Sequence, residues 1–246
     1  MGPGRPFGTY LLLALVAWGC VSSPTPPGVV RFEPGKIPAS LNGPFPALGP
    51  FTTSWDALLA ACPLILGQRN ATAGRTDDTS FPVRWRVSNE YCGWLYYTPD
   101  KKYELSYLVE STEPLRANGE KGCRAPAFVD DPRYPPQSLK YLYFLHNHPA
   151  TPTNLSEEDI AAVAKIARIH GGSVQTEEGS LPVSIVAFIS NSHPPQSFSC
   201  DGFYEYSHGS TEVLKWTPDE RGQWQKTQVG TVSWINEREF HFVPAQ

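Results

Sequence analysis

Charge is scarce in this chain. Asp, Glu, Lys and Arg make up 18% of its 246 residues, too few for a coiled coil or for long charge-laced surface helices. Basic residues are not in excess either. Twenty Lys and Arg against 24 Asp and Glu give a net charge of −4, so there is no electrostatic footprint for nucleic acid or an acidic membrane surface. No apolar run approaches the roughly 20 residues that span a bilayer. Cys-x-x-Cys is absent, which removes zinc ribbons and thioredoxin-like sites. Gly-x-Ser-x-Gly, His-Glu-x-x-His and a phosphate-binding glycine loop are also missing, leaving serine hydrolases, zincins and nucleotide enzymes without support. No 20–50-residue period recurs, so the chain is not a repeat array.

What is present builds a globular protein. Hydrophobic residues at 40% and aromatics at 12% can fill a core, which excludes full disorder. Twenty glycines and 25 prolines predict many loops. The length suits one large domain or two small ones.

The N-terminus reads as an export signal over residues 1–19. Arg5 supplies charge, and Leu11–Ala17 is a short apolar stretch of signal-peptide length. Ala17-Trp18-Gly19-Cys20 resembles a bacterial lipobox, which would make Cys20 a lipid anchor and the only link to a membrane; Ala17-x-Gly19 would equally suit an ordinary signal peptidase. Residues 21–50 hold eight prolines and four glycines, predicting an extended tether over 20–50. Cys62, Cys92, Cys123 and Cys200 remain. In an oxidising compartment they form two disulfides, with three pairings open.

Spacing predicts a helix opening at Ser54 as N-cap, with Trp55, Leu58, Leu59 and Cys62 on one face. Gln68–Ser80 reads as a loop. Strands are expected at Val83–Val87, Tyr91–Thr98 and Tyr103–Glu110, the last two joined by the turn Pro99–Lys102. Ser111–Ser138 is a long polar insertion. A buried strand at Leu139–Leu145 precedes a helix from Ser156 to His170 with the stripe Ile160, Val163, Ala164 and Ala167, ended by Gly171. Leu181–Ser190 reads as another central strand, and short strands fill residues 200–246.

Chemistry concentrates after the strand Leu139–Leu145. His146 and His148 stand at i and i+2 of extended chain, so both imidazoles reach one point. Ser156 and Asp159 follow at the start of the helix. Two histidines and one carboxylate would leave a fourth position on a tetrahedral metal open to water, the pattern of catalytic rather than structural zinc. Ser156-x-x-Asp159 is also a capping-box pattern, which a helix start needs without any chemistry.

The run from His146-Asn147-His148-Pro149 to Ser156-Glu157-Glu158-Asp159 matches the motif His-x-His, seven residues, Ser, two residues, Asp. It resembles the JAMM (MPN-plus) metalloproteases, with the Asn-His-Pro variant most like the bacterial and RadC-type branches. The resemblance covers Ser54 to Ser190. It implies an α/β fold, a mixed β-sheet flanked by helices (JAMM/cytidine-deaminase-like), at residues 51–199, with extra C-terminal β strands over 200–246. It implies Zn²⁺ held by His146, His148 and Asp159, Ser156 steadying an oxyanion, and a glutamate base on an earlier strand. Glu90, in Glu90-Tyr91-Cys92-Gly93-Trp94-Leu95, fits that place; Glu104 and Glu110 are the runners-up.

The activity implied is hydrolysis of a peptide or isopeptide bond in a protein or peptide substrate outside the cytoplasm. Rivals are a non-catalytic MPN-like binding module, a RadC-like role with DNA, against which the export signal and acidic balance argue, and a cell-wall amide hydrolase using the same zinc chemistry. His170 is expected to suit a helix C-terminus as a cation, and His193, His208 and His241 show no ligand spacing. Trp216, Trp224 and Trp234 are expected in the core or as cross-strand partners.

Overall fold

The computed structural model describes residues 25–33, 35–111, 121–193, 195–196 and 198–245. Residues 1–19, expected to be an export signal, and Cys20 lie outside the described residues. The stretch expected to be a tether instead joins the fold: β1 (Val29–Val30) and β2 (Ser40–Asn42) are strands, and Leu41 and Phe45 are buried. Apolar side chains spaced among the prolines supply enough burial to hold that chain down.

Helix α1 (Ser54–Leu66) follows. Its N-cap is Thr53, whose side chain accepts from Asp56 N, one residue before the expected cap. Ala57, Leu58, Ala61, Cys62, Ile65 and Leu66 form the buried face; Trp55 and Leu59 sit at its edges. The loop beyond contains a short strand, β3 (Gly74–Arg75). Phe81–Val87 is a helix, α2, not a strand. Val-Arg-Trp-Arg-Val alternates like a strand, yet Pro82 favours a helix start and Phe81 stacks on Trp85 one turn away at 5.8 Å. None of its residues is buried.

The strands β4 (Tyr91–Tyr97), β5 (Tyr103–Leu105) and β6 (Leu108–Glu110) are wholly buried. The expected single strand over 103–110 breaks at Ser106, whose Oγ accepts from Trp94 N at 2.8 Å. In the insertion, β7 (Phe128–Asp130) pairs with β2. Then come β8 (Lys140–Asn147), β9 (Ala150–Thr151) and helix α3 (Glu157–His170). Gly171 ends α3 at φ +90°, a conformation that favours glycine.

The expected strand over 181–190 is two elements. A hairpin of β10 (Ser173–Thr176) and β11 (Gly179–Pro182) precedes β12 (Ser184–Ile189). The tail supplies β13 (Gly202–Ser207), β14 (Glu212–Pro218), β15 (Trp224–Trp234) and β16 (Phe240–Pro244).

The protein is thus mixed α/β, with three α-helices among the described residues around a ten-stranded mixed sheet. The strand order is β1-β6-β4-β8-β12-β13-β14-β15-β16, with β5 also on β4. β8 is central, antiparallel to β4 and parallel to β12, which is why β4, β8 and β12 read as near-continuous apolar runs.

Alternation along β12 divides the core. Val186 and Phe188 pack with α1, whereas Ile185, Ala187 and Ile189 pack with Ile160 and Val163 of α3. The two long helices therefore cover opposite faces. On α3 the third buried residue is Ile166, while Ala164 and Ala167 are only half-buried. Trp216 and Trp224 pack around Trp55 and Phe203, and Trp234 donates to Tyr206 Oη at 2.7 Å.

Of the three open pairings, the disulfides are Cys62–Cys200 and Cys92–Cys123. The first ties α1 to the start of β13; the second ties the insertion to β4. No helix among the described residues is long and apolar enough to cross a membrane.

Candidate metal centre

The end of β8 and the first turn of α3 converge at one place. His146 ends the β4–β8 ladder opposite Cys92. His148 lies one residue past β8, but its N–H donates to Phe188 O at 2.9 Å, so it continues the strand's alternation and points to the α3 face with His146. The return loop is held by β9 pairing with β3 and by buried Leu155. That loop sets the N-terminus of α3 over the strand end.

Ser156 is the N-cap of α3. Its Oγ accepts from Asp159 N at 3.1 Å, while its own N–H and hydroxyl donate to Asp159 Oδ2 at 2.9 and 2.8 Å. The capping box therefore aims the Asp159 carboxylate at the histidines. His146 Nε2 lies 3.1 Å from His148 Nε2 and 3.3 Å from Asp159 Oδ1, and His148 Nε2 lies 3.3 Å from Asp159 Oδ2. Burial works to raise the Asp159 carboxyl, but the facing His146 and His148 imidazoles prevail and hold it well below the usual carboxylate range.

This group can hold a metal ion. Two nitrogens each about 2.0–2.1 Å from a tetrahedral ion stand roughly 3.3 Å apart, close to the observed separation. Thr153 Oγ donates to Ala150 O at 2.7 Å and lies 3.3 Å from His148 Nδ1. Its lone pair can thus accept a hydrogen bond from Nδ1–H, leaving the Nε2 lone pair for a metal. His146 Nδ1 is buried with no hydrogen-bond partner among the described residues.

A cavity of about 120 Å³ opens on this cluster, lined by Glu90, Trp85, Lys121, Phe144, Asn154 and Ser156 among others. Glu90 is 6% exposed. Neither runner-up lines this cavity. Glu104 is bound by Arg133 at 2.9 Å, and Glu110 by Arg31 at 2.7 and 2.9 Å and by Asn89 at 2.8 Å. Arginines thus engage both carboxylates away from the site.

Sequence reasoning missed three participants. Lys121 donates to Ser88 O at 2.7 Å and stands 5.1 Å over the Trp85 ring; burial lowers its pKa while Glu90 pulls it up. Trp85 reaches the cavity because α2 is a helix. Thr153 is visible in sequence only as a loop residue. His170 is packed among aromatic rings at its helix end rather than standing free. It stacks on Tyr141 at 4.0 Å, and burial pushes its pKa down. His193 lies 3.5 Å from Asp78, and His208 and His241 are exposed.

No family model matches the chain, and it matches no curated protein.

Proposed function

We propose that this protein is an exported zinc-dependent hydrolase of the JAMM kind that cleaves a peptide or isopeptide bond in a protein or peptide substrate. The observation that carries the reading is the convergence of His146, His148 and Asp159 within 3.1–3.3 Å of one another, with Glu90 on the wall of the same cavity. The donor set, two neutral imidazoles and one carboxylate, is that of catalytic zinc with a position left for water.

Zinc held there by His146, His148 and Asp159 would supply a Lewis acid and would lower the pKa of a water toward roughly 7. The chain does the rest. His148 is held in the ligating tautomer by Thr153, and Asp159 is held in place by the Ser156 cap. Glu90 takes the water proton and returns it to the leaving amine, a contribution of about 10²–10⁴ in rate. Lys121 donates to Ser88 O and stands near enough to Glu90 for the two to attract.

The test is to load the purified protein with zinc and profile it on peptide and isopeptide libraries beside Glu90→Gln at equal zinc content. The expected result is turnover by the wild type and a loss of at least about 10²-fold in the variant. Equal turnover by both overturns the assignment of the base.

A further inference from the structure

Asn147 stands between the two histidines in sequence but on the opposite side of the strand. Alternation turns it onto the α1 face, where it is fully buried. Its carboxamide makes three hydrogen bonds: Oδ1 accepts from Tyr91 N at 2.7 Å, and Nδ2 donates to Ala71 O at 2.6 Å and to Asn89 O at 3.1 Å. One donor and two acceptors around the amide settle which way it points.

The Asn89 carbonyl and the Tyr91 N–H belong to the two peptide units that flank Glu90. On the β8 side the ladder does not reach them: pairing between β4 and β8 ends at Cys92 and His146, while on the β6 side Tyr91 stands opposite Glu110. On its other side the segment is held by Ser111 N donating to Glu90 O at 2.8 Å. Asn147 therefore supplies, with a side chain, bonds to the Asn89 carbonyl and the Tyr91 N–H beyond the point where the β8 backbone stops pairing.

We infer that Asn147 is the positioning residue for Glu90, gripping both peptide units around it so that the carboxylate is held in register with His146 and His148. The inference rests on reading Glu90 as the proposed base. One residue would then orient two halves of the site: its own strand carries the metal ligands, and its amide sets the base. Asp is isosteric here but cannot donate to the two carbonyls, and Ala can make none of the three bonds.

The experiment uses the full zinc-loaded chain as wild type, Asn147→Ala, Glu90→Gln and the double variant. Asn147→Ala is expected to lose about 10–100-fold in kcat with zinc content and KM unchanged, the scale of a small misplacement of a reacting group. Added to Glu90→Gln it should cost less than about twofold, because a residue acting only through Glu90 has nothing left to position. An equal loss in both backgrounds, or loss of zinc from Asn147→Ala, overturns the inference.

A second readout needs no turnover. The Tyr91 amide should exchange with solvent at least about tenfold faster in Asn147→Ala, while the Val186 and Phe188 amides keep wild-type rates. Unchanged Tyr91 exchange overturns the grip. If Glu90→Gln keeps full activity, the base assignment fails, and Tyr91 exchange still decides the grip. Should Asn147→Ala not fold, Asn147→Asp, which retains only the accepted bond, is expected to show the same lack of additivity with Glu90→Gln; an additive loss overturns the inference.

Discussion

Cys92 stands opposite His146 in the β4–β8 ladder, and its sulfur is bonded to Cys123, a residue that lines the metal cavity. Lys121, two residues before Cys123, reaches Ser88 O at the cavity wall. One covalent link thus joins the strand pair that carries the histidine to the part of the insertion that faces the site.

Replacing both Cys92 and Cys123 by Ala should leave zinc content unchanged and lower stability by about 2–4 kcal/mol, the usual worth of a disulfide closing a loop of this size. KM should rise severalfold as Lys121 loses its fixed place. Denaturant titration and steady-state kinetics measure both. An unchanged KM would make the bridge purely structural and remove the insertion from substrate selection.

His148→Ala should bind little zinc where the wild type holds about one per chain, because two remaining ligands cannot close a site that needs three. Elemental analysis after dialysis measures this. Stoichiometric zinc in the variant would end the ligand assignment.

Ser156 has two separable duties. As a cap and a donor to Asp159 Oδ2 at 2.8 Å, its loss in Ser156→Ala should cost about 1 kcal/mol of stability and about tenfold in zinc affinity. As an oxyanion donor, its loss would instead lower kcat about 10²–10³-fold. Stability, zinc titration and kcat measured on one variant separate them. The hydroxyl's commitment to Asp159 favours the first pattern; a fall in kcat alone would favour the second.

Glu104 is 2% exposed, and burial raises its carboxyl against the opposing pull of Arg133 at 2.9 Å. A raised carboxyl is at ease when protonated, so its cost to the fold is absent below the ordinary carboxylate pKa, grows as pH rises from there to the folded value, and is fully present above it. Glu104→Gln should therefore raise the denaturation midpoint at neutral pH and give no gain below about pH 4. A lower midpoint at neutral pH would show that the ion pair with Arg133 outweighs burial.

The chain's own pattern was enough for much of the site. Alternation alone puts His146 and His148 on one face, and Ser156-x-x-Asp159 announces a capped helix, because both signals are local and depend on only a few consecutive residues. The central strands were legible for a related reason: a strand covered on both faces must be apolar throughout, as in Tyr91–Tyr97 and Ser184–Ile189.

What local pattern could not carry was decided by distant neighbours. Val83–Val87 alternates like a strand, but no strand edge is there to pair with it, and the Phe81–Trp85 stack makes it helical. Val29 and Leu41 lie in proline-rich chain and fold down only because β6 and β7 offer edges 79 and 88 residues later. Cys92 could choose Cys123 only once β4 and the insertion lay side by side. Asn147 carried no signal of its own, since its three partners come from residues 56 to 76 positions away and exist as partners only when α1, β4 and β8 have packed together.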